Sequence, residues 1–161
     1  MKTLVLVAAS LLLSCHSSTG GGVPNLRHVF VIMMENTSLA TLAQSQRAPY
    51  LKSLSATAAT SANYHGVTHP SLPNYLALTS GGTQGVTCDC NPSGTACTSC
   101  GDCNCSQAAA HLGDQLEAAG LTWRAYGEDM GAACNTTSSG GYATRHVPFL
   151  YFSKVQGDAK R

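Results

Sequence analysis

Charge is scarce in this chain. Only 11% of its 161 residues are Asp, Glu, Lys or Arg, against about a quarter in an ordinary globular sequence. Nine basic and eight acidic residues nearly cancel, and no basic stripe collects them, so there is no electrostatic footprint for nucleic acid. No internal repeat is visible. The most apolar stretch, Leu4 to Leu13, is too short to cross a bilayer as a stable helix. The length suits one domain with a real core and is short for two.

What is present begins with export. Lys2, the apolar run and Ser14-Cys15 have the basic, apolar and small-residue order of a signal peptide over residues 1–15. Leu12-Leu13-Ser14-Cys15 also resembles a lipobox, which makes Cys15 the expected lipidation site; simple secretion after cleavage nearby is the alternative. The polar HSSTGGG that follows suits a flexible tether over residues 16–26, holding a domain off a membrane surface. The expected location is the cell envelope, as a lipoprotein, or outside the cell.

Of eight cysteines, six crowd into Cys88, Cys90, Cys97, Cys100, Cys103 and Cys105, and Cys134 stands apart. A cytosolic chain with this spacing would suggest zinc or an iron–sulfur cluster. Behind an export signal, disulfides are the better reading. Residues 83–105 lack apolar periodicity, so they read as a disulfide-stapled insertion within a domain over 27–161.

Val29 to Met34 is a continuous apolar run, the pattern of a strand buried on both faces of a parallel sheet. It ends at Glu35-Asn36, the end of a central strand where open α/β sheets place chemistry. A helix is expected near 50–60, opened by Pro49. Another is expected from Tyr75 to Thr79, ended by Gly81-Gly82. A third should run over 106–119, capped by Ser106 and Gly120, and a second core strand over 121–126. Strand, helix and strand at these spacings suggest a layered α/β sheet.

Three places could carry chemistry. Glu35 and Asn36 offer oxygen ligands suited to a hard divalent cation. Ser71 sits beside a helix start, where free N–H groups and the helix dipole favour an anion; it would need a base or metal to become a nucleophile. Among the histidines, His65, His69 and His146 are candidates for metal or phosphate, whereas His28 and His111 read as structural.

Four blocks, HVFVIMMEN, HPSLPNYLALTSG, DQLEAAGLTWRAYGEDM and YATRHVPFLYF, occur in the order found in the bacterial phosphoesterase family. That family contains acid phosphatases and non-haemolytic phospholipases C and belongs to the alkaline phosphatase superfamily. The resemblance covers about residues 27–152. It implies an α/β fold, an alkaline-phosphatase-like three-layer αβα sandwich. It also implies phosphoric ester hydrolysis with a divalent metal as cofactor and a phosphate ester as substrate. Glu35, Asn36 and Ser71 match expected metal ligands, and Ser71 matches the nucleophile. Ser71-Leu72-Pro73-Asn74 is similar to the Thr-Phe-Pro-Asn motif of nucleotide pyrophosphatase/phosphodiesterases, which implies a phosphoryl contact for Asn74. Asn36, His146 and His69 would also contact substrate phosphate. The Asp-Asp pair and histidines that the family carries beyond its Arg-His-x-Pro-Phe block have no counterpart before Arg161, so the expected domain is partial, apparently truncated at its C-terminus. The rival reading is a non-catalytic, disulfide-rich surface module or an inactive fragment.

Overall fold

The structure, a computed structural model, describes residues 26–93, 105–156 and 158. The export segment with Cys15, the tether up to residue 25, and Cys97, Cys100 and Cys103 lie outside the described residues. The chain divides into two units, Met1–Ala59 and Thr60–Arg161.

In the first unit, α1 (Leu39–Gln44) starts at Ser38, whose hydroxyl accepts the Thr41 N–H at 3.2 Å, an ordinary local N-cap. Helix α2 (Pro49–Thr57) opens on proline as expected, because a missing N–H costs nothing at the first helical position. No described residue of this unit is buried. Val29 to Met34 are between 44% and 86% exposed, without ladder partners among the described residues. The strand expected there is therefore not formed in the structure: an extended run becomes a strand only when a neighbour takes its N–H and C=O groups.

The second unit holds the core. Helix α3 (Ser71–Ser80) buries Leu72, Tyr75, Leu76 and Thr79, a three-to-four-residue spacing that places them on one face. It ends at Gly81, which takes the left-handed conformation (φ +79°) that a side chain disfavours. Against α3 pack α4 (Leu112–Ala118) and two 3₁₀ turns, Thr144–His146 and Pro148–Tyr151. The short α5 (Ser153–Gln156) follows and buries Val155.

Helix α4 starts six residues later than expected. Gln107 forms an isolated parallel bridge with Phe152: its N–H donates to the Tyr151 carbonyl, and its own carbonyl accepts from Ser153 N. Those backbone groups are then unavailable to a helix. Ser106 accordingly donates its hydroxyl to Gln156 instead of capping. The cap is His111, whose N–H donates to Asp114 at 3.0 Å. At the far end Gly120 is at φ +73°, with Gly120 N on Glu117 O and Leu121 N on Leu116 O. This is a Schellman closure, and it gives Leu121 to the helix end. Residues 121–126 form no strand, and among the described residues there are only isolated bridges.

His111 is fully buried among Trp123, Phe149 and Phe152, its ring centroid 4.5 Å from that of Phe152. Of the expected disulfides, Cys90–Cys105 is formed and Cys88 is disulfide-bonded as well. Cys134 is exposed at the surface.

Candidate active site at the start of α3

A helix begins with four N–H groups that have no partner inside it. At α3 these belong to Pro70, Ser71, Leu72 and Pro73. Proline has no N–H, so two of the four donors do not exist. The Leu72 N–H donates to Asp89 Oδ1 at 2.9 Å. Proline at the N-cap has no side-chain acceptor, and Asp89, seventeen residues along the chain, supplies one instead. The cluster of free N–H groups expected around Ser71 is thus reduced by two prolines and one carboxylate. Ser71 itself is the first helical residue and not its cap.

The loop leading into Ser71 is fixed by Asn74. Its Oδ1 accepts from Val67 N (2.7 Å) and Thr68 N (3.1 Å); its Nδ2 donates to Thr68 O (2.7 Å) and Pro70 O (2.8 Å). Both amide hydrogens are engaged by backbone carbonyls, so the expected phosphoryl contact would require one of them to be given up. Gly66 permits this arrangement, since a Cβ there would come within 2.9 Å of Asn74 Oδ1.

Three further side chains gather at this end of the helix. Arg145 Nε lies 3.4 Å from Asp89 Oδ2, the two side chains being 43% and 31% exposed. His146, half-buried, lies against Tyr75, one turn along α3 from Ser71, with ring centroids 5.5 Å apart. Beneath them Tyr151 is fully buried and donates its hydroxyl to the Cys90 carbonyl at 2.7 Å. Burial, foremost, with the nearby Asp89 charge adding to it, pushes the Tyr151 phenol up to about 12. Burial likewise raises Tyr142.

The structure therefore brings together Ser71, Asn74, Asp89, Arg145 and His146. His69 is exposed, immediately before Pro70. Glu35 and Asn36 are exposed in the other unit. Among the described residues no three His, Cys, Asp or Glu side chains cluster as a metal site, although the carboxylate, amide and hydroxyl oxygens of Glu35, Asn36 and Ser71 are donors of the chemistry a hard divalent cation takes. Asp89 escaped the sequence reading. Its only local signal is an acidic residue between two cysteines, and its role depends on a contact seventeen residues away.

Ser71 thus heads α3, and Arg145 and His146 reach the same helix through Asp89 and Tyr75. Residues 41–161 match the Phosphoesterase family, and the chain belongs to that family. It is 36% identical over 162 residues to a phosphatidylinositol-3-phosphatase of Mycobacterium tuberculosis, an alignment that covers 96% of this chain and 50% of that protein. The chain thus spans about half the length of the curated relative it matches. No solved structure matches it.

Proposed function

We propose that the protein is a phosphoric ester hydrolase of the acid phosphatase or phospholipase C type, with Ser71 as its nucleophile. The observation that carries this reading is Ser71 at the head of α3 with Arg145 and His146 gathered at the same end, in a chain of the Phosphoesterase family. The proposed fold is the alkaline-phosphatase-like αβα sandwich; residues 28–34 would be a strand of it only with a partner that the described residues do not supply. With the export signal and lipidation at Cys15 the enzyme would be held at the cell envelope, and with simple cleavage it would be secreted.

In the first step Ser71 Oγ attacks phosphorus in line with the departing oxygen. The bond to the leaving group breaks, and the alcohol departs with a proton. Water then attacks the phosphoserine, releasing phosphate and restoring the hydroxyl. A divalent cation at Ser71 would supply the lowered hydroxyl pKa that makes serine nucleophilic near neutrality; Glu35 and Asn36 carry the oxygen donors such a cation takes. Arg145 and His146 hold the phosphate oxygens, Arg145 through the geometry of its fork; Asn36 and His69 are the remaining candidates for that contact. Asn74 holds the 66–70 loop in register, and turns to phosphate only by releasing one of its carbonyl partners.

The mycobacterial relative's name denotes a phosphatase, and a lipid phosphomonoester is accordingly the preferred substrate class, over a phosphodiester. Assays of the full-length protein on a chromogenic phosphomonoester, phosphatidylinositol 3-phosphate and phosphatidylcholine test this. Hydrolysis of both monoesters, abolished by Ser71→Ala without loss of folding, is expected. A fully active Ser71→Ala protein would remove Ser71 as nucleophile, and cleavage of phosphatidylcholine alone would overturn the monoester preference.

A further inference from the structure

We infer that Asp89 is a positioning residue of the active site, one carboxylate that fixes both Ser71 and Arg145. This inference rests on the reading of Ser71 as nucleophile and deepens it.

Asp89 has two oxygens and each has its own task. Oδ1 accepts the Leu72 N–H at 2.9 Å and so anchors the first turn of α3, on which Ser71 rides. Oδ2 faces Arg145 Nε at 3.4 Å. A guanidinium held through Nε still has terminal amino groups suited to a bidentate contact with phosphate. The nucleophile and the anion-binding cation are thereby indexed to one group.

That group is itself immobilised on both sides. Cys88 before it and Cys90 after it are both disulfide-bonded. The Cys90 carbonyl also accepts the buried Tyr151 hydroxyl at 2.7 Å. Nothing inside α3 could replace this anchor. Pro70 and Pro73 have neither an N–H nor a capping side chain, so the helix start that carries Ser71 is defined from outside. Carboxylate and guanidinium also balance in charge, so the anchor adds little net repulsion against an incoming phosphate.

The two tasks separate by mutation. Asp89→Ala removes both contacts. Asp89→Asn keeps an oxygen for Leu72 N–H but turns an N–H₂ group toward a cation that has only donors. The measurements are kcat and KM on a chromogenic phosphomonoester, Ki for inorganic phosphate, and the melting temperature, all on the full-length protein.

For Asp89→Ala, kcat should fall about 10- to 100-fold, the scale of a small misplacement of a reacting group. For Asp89→Asn, kcat should recover to within about threefold of wild type while Ki for phosphate stays raised by roughly fivefold, the upper end for a part-exposed ion pair. A purely structural Asp89 would lower the melting temperature and leave that split unseen. The inference is overturned if folded Asp89→Ala keeps kcat, KM and Ki within about twofold of wild type, or if Asp89→Asn loses kcat as fully as Asp89→Ala does. Should Asp89→Ala fail to fold, an unchanged Ki in Asp89→Asn overturns it alone. Ser71→Ala run in parallel separates the two readings. An active Ser71→Ala sinks the nucleophile assignment, whereas an inactive one beside an unaffected Asp89→Ala sinks only the role given to Asp89.

Discussion

Two apolar runs of six residues meet opposite fates in this chain. Val29 to Met34 is exposed along its whole length, whereas in Val147 to Phe152 only Phe149 escapes full burial. Hydropathy does not decide the outcome, since the exposed run, without Pro or Tyr, is the more apolar of the two. In the second run, Pro148 opens a 3₁₀ turn that directs side chains inward, and α3 and α5 supply the surfaces they meet. The first run has no such surface among the described residues. An apolar stretch states a demand for burial, and the fold depends on whether another segment answers it.

The sharpest way to break this contrast lies in the core of the second unit. Leu76 on α3 is fully buried, and Leu76→Ala should cost about 3–4 kcal/mol through lost contacts and a residual cavity. Urea unfolding measures this, and a change below about 1 kcal/mol would mean the core is not packed as described. Next comes the bond that closes the insertion. The Cys90–Cys105 disulfide spans fifteen residues, so the double change Cys90→Ala, Cys105→Ala should destabilise by ~3 kcal/mol through the freedom returned to the unfolded chain. Identical midpoints for the two proteins would refute that assignment.

The features legible in the sequence were those decided locally. Pro49 opens a helix, Gly81 and Gly120 close helices, and each acts through its own backbone geometry. That Ser71 and His146 belong to one site is what the family resemblance implies; spacing alone does not carry it. What escaped was decided at a distance. Ser106 is a good cap by type, but Gln107 beside it is taken by Phe152, forty-five residues on, so the helix waits for His111. Asp89 caps α3 from outside the helix and has no sequence motif to announce it. The strand at 28–34 needs a partner that its own residues cannot name.

A smaller effect concerns pH. The Tyr151 phenol is held up to about 12, mainly by burial, against 10.0 unperturbed. The unfolded chain releases this proton first, so the contribution is complete below pH 10 and is lost as pH rises toward 12. Stability should fall by ~2 kcal/mol across that interval from Tyr151 alone, and the raised Tyr142 steepens the same fall. Tyr151→Phe, which loses the bond to the Cys90 carbonyl at every pH, should flatten the alkaline arm. An equally steep arm in the variant would place the titration elsewhere.

The smallest effect is expected at the other kind of helix start. Helix α1 is capped by its neighbour Ser38, three residues from the N–H it accepts, and none of its residues is buried. Helix α3 is capped by Asp89 from seventeen residues away and carries core side chains. Removing a cap frays a helix in both cases, but fraying reaches global stability only where the helix holds something else in place. Ser38→Ala should therefore lower the free energy of urea unfolding by no more than ~0.5 kcal/mol, although a cap of this type is worth about 1 kcal/mol to the helix itself. The loss should appear locally, as faster hydrogen exchange at Leu42 and Ser45, whose N–H groups close α1. A global loss of 1 kcal/mol or more would mean that α1 is coupled to packed structure, and the contrast between a local cap and a tertiary one would fail at its weaker end.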